Sequence, residues 1–297
     1  MNIPCKNKFV ATFSIVGYDP QNGEWGVAVQ SKFLGVGALV PWAKAGAGAI
    51  ATQSWCNTSF GPKGIELLEK GFSAKEVMEE LLKEDEGREY RQVGIVDAKG
   101  GSATFSGNLC FNWAGGISGE NFACLGNILV NPETVQALAD TFNNAQGDLA
   151  DRLVAALDAA QAAGGDSRGK QSAALLVVKD KGGYGGFNDR YVDLRVDDHP
   201  EPIKELERLL KLYKLYFYKT KPGNVIKMEG NQLVEIKQML LKTGYFEGEI
   251  NDIFDENFKE CLKKFYLTEN FDERIREDQY IDKEVLEFLC ELSKLKH

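Results

Sequence analysis

Histidine is nearly missing from this chain: of 297 residues only His199 and the terminal His297 are histidines. A Ser/His/Asp triad, a Cys/His pair or a multi-histidine zinc site would therefore have to rest on His199. That residue stands in "DDHPEP", where it reads as a helix-start residue rather than a base. Long apolar runs are missing too, and nowhere do about eighteen consecutive apolar residues occur. The start, "MNIPCKNKFVATF", lacks the apolar stretch of a signal peptide, so a cytoplasmic location without a membrane span is expected. There is no basic excess: 35 Lys and Arg stand against 44 Asp and Glu, a net charge of -9. That sign repels phosphate backbones and excludes nucleic acid as an expected partner. The six cysteines, at 5, 56, 110, 124, 261 and 290, form no CxxC pair and read as buried free thiols. Aspartates such as Asp97, Asp166, Asp193, Asp197 and Asp198 lack the spacing of an EF-hand, and neither a metal nor a cofactor is expected.

What is present is a soluble globular composition, with 43% hydrophobic and 27% charged residues. The first half alternates small-residue strands with helices. "TFSIVGY" and "EWGVAVQS" flank "DPQNG", where Pro20 presets a turn and Asn22-Gly23 accepts positive φ, so the spacing predicts a hairpin. Extended segments follow in "VGALVPWAKAGAGAIATQS", whose small residues predict a sheet covered on both faces. "GPKGIELLEKGFSAKEVMEELLKEDEG" predicts two helices broken at Gly71, the second started by a Ser73/Glu76 capping box. Strands are then expected at "RQVGIVDA", "SATFSG" and "FACLGN". Helices should follow Asn131-Pro132 and Asp148, strands "SAALLVVKD" and "RYVDLRVDD" come next, and a long helix starts at "EPIKEL". This order predicts a layered α+β sandwich. "KTKPGN" at 219 to 224 marks a boundary, which gives domains of 1–220 and 221–297. Beyond it three amphipathic stripes predict a small three-helix domain.

Polar residues that the fold does not require gather at strand ends and glycine turns: Gln30, Ser31 and Lys32; Thr52, Gln53, Ser54 and Asn57; Asn127; and Asp166, Ser167, Arg168, Gln171 and Ser172. Without histidine, a hydroxyl nucleophile needs another base. Either a lysine of lowered pKa or the nucleophile's own α-amine would serve. The second option makes Thr12 the nucleophile once residues 1–11 are removed, with Lys32 or Asp166 orienting and polarising. Cys5 and Ser14 are weaker rivals. Arg168 either clamps a substrate carboxylate by two hydrogen bonds or pairs with Asp166 in a turn.

"TFSIVGYDPQNGEWGVAVQSKFLGVGALVPWAKAGAGAIATQS", "GPKGIELLEKG", "RQVGIVDAKG", "GGDSRGKQSAALLVV" and "DRYVDLRVDDHPEPIKEL" closely resemble an uncharacterised prokaryotic family assigned to the N-terminal-nucleophile (Ntn) hydrolase-like superfamily. The resemblance covers about residues 12 to 215 and implies a four-layer αββα sandwich in which a Thr, Ser or Cys heading the first strand is uncovered by processing. Thr12 is the matching position, although many relatives carry only an initiator methionine before it. The family has no established reaction; from the residues themselves the expected activity is hydrolysis of a small amide, with Thr12, Lys32 and Asp166 catalytic and Ser31, Asn57, Asn127, Arg168, Gln171 and Ser172 binding substrate. The alternative is a non-catalytic protein of the same fold that holds a small ligand. The tail, "VEIKQMLLKTGYFEGEINDIFDENFKECLKKFY", resembles a peptidoglycan-binding domain family through Tyr245, Phe246, Gly248, Phe254 and Phe265, with Asn251-Asp252 in place of the usual Asp-Gly. The expected partners are a small amide or ligand, a peptidoglycan fragment, and further copies of the chain as a homo-oligomer.

Overall fold

The computed structural model describes residues 12–295; the extension 1–11, and with it Cys5, lies outside the described residues. Contacts divide the chain into two units, one ending at Leu209 and the other running from Leu210. The Pro222-Gly223 turn lies further along, within the second unit.

In the first unit β1 (Thr12–Asp19) and β2 (Glu24–Ser31) form the expected hairpin. Gly23 takes φ 62° in its turn, and Asp19 Oδ1 accepts from Gln21 N at 2.9 Å. β3 (Pro41–Lys44) and β4 (Gly48–Ser54) follow, then α1 (Phe60–Glu69) and α2 (Ala74–Lys83). The capping box at Ser73 and Glu76 starts α2, and Gly71 at φ 86° separates the two helices. β5 (Arg91–Asp97), β6 (Ser102–Ser106), β7 (Gly115–Gly119) and β8 (Phe122–Asn127) come next. They precede α3 (Glu133–Asn144), α4 (Leu149–Ala162), β9 (Ser172–Lys179), β10 (Arg190–Val196) and α5 (Pro202–Phe217), whose last turns lie past Leu209.

Two antiparallel sheets result, one of six strands in the order β10-β9-β2-β1-β8-β7 and one of four in the order β3-β4-β5-β6. They face each other through one apolar layer that includes Val16, Val27, Val29, Ala51, Val96, Leu125 and Leu176. Gly94 is needed in that layer, because a Cβ there would lie 2.5 Å from the Leu125 side chain. α3 and α4 cover the outer face of the six-stranded sheet, where Phe142 and Leu153 press on Gly17 and Gly26. α1 and α2 cover the four-stranded sheet through Phe60, Leu68, Val77 and Leu81 against Ile50, Val93 and Ile95. The four-stranded sheet is tied to the neighbouring β9–β10 turn where Ala45 N donates to Asp189 Oδ2 at 3.0 Å.

The second unit contains β11 (Val225–Lys227), α6 (Gly230–Thr243), α7 (Glu256–Thr268), β12 (Tyr280–Asp282) and α8 (Lys283–Leu295). The three expected helices are there; the β11–β12 pair was not foreseen. Phe246 and Phe265, two aromatics of the tail's motif, are 2% and 0% exposed and belong to the core. Lys237 is fully buried, its Nζ donating to Asn251 Oδ1 at 2.7 Å and to the Ile253 carbonyl at 2.8 Å, with the Phe246 and Phe258 rings each at 5.5 Å. Among the described residues no helix is long and apolar enough to cross a membrane.

Candidate functional site

Register places the site. Thr12 heads β1, opposite Ser31 on β2 and Asn127 on β8, and Ser31 is in turn opposite Ser172 on β9. Ser172, Ser31, Thr12 and Asn127 thus form one row across four strands at one end of the six-stranded sheet. All four are 0% exposed. Because strand side chains alternate, the row shares a face with Val29, Leu125 and Ala174, and so points into the layer between the sheets.

The opposing sheet answers with amides. Thr12 Oγ1 donates to Ser31 Oγ at 3.1 Å, and the Thr12 carbonyl accepts from Gln53 Nε2 at 3.3 Å. Gln53 Oε1 accepts from Ser14 Oγ at 2.7 Å, while its Nε2 also donates to Gln92 Oε1 at 2.8 Å. Gln92 Oε1 accepts from Asn127 Nδ2 as well, and its Nε2 donates to Ser106 Oγ at 2.7 Å and to the Gly126 carbonyl at 2.7 Å. Gln92 is the hub, and nothing in "RQVGIVDA" marks it as one. Two strained backbones flank this network: Ser54, directly after Gln53, has φ 65°, and Ile128, directly after Asn127, has φ 54°. A β-branched residue at positive φ is a true outlier, and such strain collects at working sites.

Lys32 and Asp166 are not hydrogen-bonded to Thr12. Lys32 is exposed, and its Nζ donates to the Lys170 carbonyl at 3.3 Å. Asp166, 3% exposed, accepts from the Lys32 backbone N–H at 2.9 Å and holds Arg168 through Nε at 3.2 Å and Nη2 at 3.0 Å. Of the two readings of Arg168, the structure displays the pair with Asp166. Gln171 N donates to the Ser31 carbonyl at 3.0 Å, and its side chain donates to Asp198 at 3.1 Å. Ser172 Oγ accepts from Val36 N at 3.2 Å and donates to the Phe33 carbonyl. Asn57 lies elsewhere: its Oδ1 accepts from Ser59 Oγ at 2.8 Å, at the mouth of a groove of about 400 Å³ between α1 and α2. Gln30 sits opposite Phe13 and Ala173 on the helix-facing side, fully buried, and its amide has no hydrogen-bond partner among the described residues.

Cys56, Cys110 and Cys124 make poor nucleophiles. Burial pushes Cys56 up to about 11 and raises Cys110 and Cys124 as well, whereas a reactive cysteine needs its thiolate favoured. Among the described residues no cluster of three or more His, Cys, Asp or Glu is placed to hold a metal ion.

Comparison with known proteins places both units. No curated protein matches the chain. Residues 216–289 match the family model described as "Putative peptidoglycan binding domain". The crystal structure of protein SPO2555 from Silicibacter pomeroyi, from the DUF1028 family, superposes with a TM-score of 0.63 at 30% identity, covering 70% of this chain and 91% of that one. Residues 12–206 match the model of the same family, one of unknown function; that span is more than half of the chain, which therefore belongs to the DUF1028 family.

Proposed function

We propose that the first unit is an Ntn-type amidohydrolase, held latent while residues 1–11 precede Thr12. The packing of helices, sheet, sheet and helices supports reading it as an αββα sandwich of the Ntn-hydrolase-like kind. The observation that carries the proposal is the row Ser31, Thr12 and Asn127, in which a hydroxyl heading the first strand stands between a second hydroxyl and an amide donor.

With residues 1–11 removed, the Thr12 α-amine becomes a base of suitable pKa beside its own Oγ. That amine takes the Oγ proton as Oγ attacks the carbonyl carbon of a small amide. The C–N bond then breaks, the leaving amine departs with the proton, and an ester remains on Thr12. Water, deprotonated by the same amine, hydrolyses the ester and restores the hydroxyl. Asn127 Nδ2 is the side-chain donor adjacent in register and would stabilise the oxyanion. In this reading Asp166 fixes the turn after β2 by accepting from Lys32 N–H and Arg168, and Lys32 stands at the rim; both position the site and neither acts as its base. The second unit, similar to a peptidoglycan-binding family over residues 216–289, would supply a glycan contact.

Intact-mass measurement of protein made in its native host tests the proposal. A species beginning at Thr12 is expected, with turnover of small amides that Thr12→Ala abolishes. A persistent full-length chain, together with an active Thr12→Ala variant, overturns it. One observation favours a second reading, a non-catalytic pocket of the same fold: Thr12 has no exposed surface. A ligand found by thermal-shift screening without turnover would select that reading.

A further inference from the structure

β10 ends the sheet order, so its outer edge pairs with no strand among the described residues. Such an edge is a template for another strand, and charges usually guard it. Here the charges follow a pattern. The strand and the two residues after it read Arg190, Tyr191, Val192, Asp193, Leu194, Arg195, Val196, Asp197, Asp198. Reversed about Leu194, Asp193 meets Arg195 with the opposite charge and Val192 meets Val196, within the part of β10 that lies past the register shift between Arg190 and Val192. An antiparallel copy centred on Leu194 therefore sets Asp193 opposite Arg195 of the partner subunit, and does so twice by symmetry. Centring on Asp193 would oppose two carboxylates and centring on Arg195 two guanidinium groups, so the charges favour Leu194 over either neighbouring centre.

We infer that two copies of this chain join edge to edge through β10, about a two-fold axis at Leu194, to make one continuous twelve-stranded sheet. Asp193 and Arg195 are within one copy an ion pair at 3.0 Å, with side chains 24% and 40% exposed, so both can be shared with a facing strand. A second observation lies on the same edge. The turn leading into β10 displays Tyr184 and Phe187 at 85% and 90% exposure. The turn is not slack: Gly183 N bonds the Asn188 carbonyl at 2.9 Å, Gly186 N bonds the Gly183 carbonyl at 2.8 Å, and Gly185 and Gly186 hold φ 64° and 76°. Two aromatics held outward on a fixed turn are the composition of an interface anchor. In the Leu194-centred register this turn approaches the segment that follows β10 in the facing copy, where the partner's Pro200 offers an exposed apolar ring.

Light scattering on size-exclusion eluates of the full chain at tens of micromolar tests the inference. The unaltered protein is expected at twice the single-chain mass. Asp193→Arg and Arg195→Asp should each fall to the single-chain mass, since like charges then face across the axis. Mixing the two variants should restore the double mass, because their strands complement each other again, and that recovery also shows that both are folded. A single-chain mass for the unaltered protein, double mass retained by both variants, or no recovery on mixing overturns it.

Discussion

Gln92 Oε1, on the four-stranded sheet, accepts a hydrogen bond from Asn127 Nδ2 of the six-stranded sheet at 3.0 Å, and so ties the oxyanion donor proposed above to the opposite layer. The same side chain serves Gln53, Ser106 and the Gly126 carbonyl. Its loss would strand several buried polar groups at once, each costing about 1–3 kcal/mol. Gln92→Leu is expected to destabilise the first unit by about 3 kcal/mol or more, read as a lower urea midpoint at unchanged slope.

Gln30 should respond with the opposite sign. Both of its amide atoms are buried without a partner among the described residues, so these bear the desolvation with no return. Gln30→Met keeps the volume and removes the polar atoms, and a gain of about 1–2 kcal/mol is expected. A loss in thermal or urea unfolding would show that the amide has a polar companion.

Near Ser54, Arg91 is clamped: Nε lies 2.7 Å from Asp85 Oδ2, Nη1 donates to the Trp55 carbonyl at 2.7 Å, and the guanidinium sits 4.6 Å over the Trp55 ring. Burial is the largest single influence and works against the Asp85 charge, but the hydrogen bonds from Arg91, the Gly87 N–H and Asn57, with the Arg91 charge, together outweigh it and hold the carboxyl below its ordinary value. A depressed carboxylate contributes stability above its unfolded pKa, about 3.9, and loses it as pH falls through the folded value. Asp85→Asn should cost about 3 kcal/mol at neutral pH by leaving a buried guanidinium unpaired. Its stability should also change less than the parent's when unfolding is followed from pH 5 down to about pH 3.

In the second unit, Lys237 holds the segment around Asn251 and Ile253 from below. Lys237→Met keeps the packing against Phe246 and Phe258 but frees that segment. The expected cost is about 1–2 kcal/mol, with faster proteolysis between Gly248 and Asp255 as the local sign.

Much of the framework was legible because local signals governed it: the Pro20 to Gly23 turn, the Ser73/Glu76 box and the Asp148 cap, whose side chain accepts from Asp151 N at 3.0 Å, all act within four residues. The hydroxyl row was legible only in part. Thr12, Ser31, Asn127 and Ser172 are far apart in the chain, and each was found as a polar residue at a strand end, but their alignment depends on register. Adjacency in sequence misled in "QSK", because strand alternation sends Gln30 to the helix side and Ser31 to the opposite sheet, while Lys32 leaves the strand for the surface. Gln92 escaped notice since a lone amide in a strand of small residues gives no sign of what faces it. β7, β11 and β12 are short pieces whose pairing comes from distant strands, and no local pattern marks them.

The bond from Ala45 N to Asp189 puts a single amide of the β3–β4 turn under the control of the turn that feeds the edge of the other sheet. Deuterium uptake at that amide therefore acts as a strain gauge for the corner: it stays slow while the Tyr184 to Phe187 turn keeps its shape, and quickens when the turn is bent by substitution, whether or not two chains are joined.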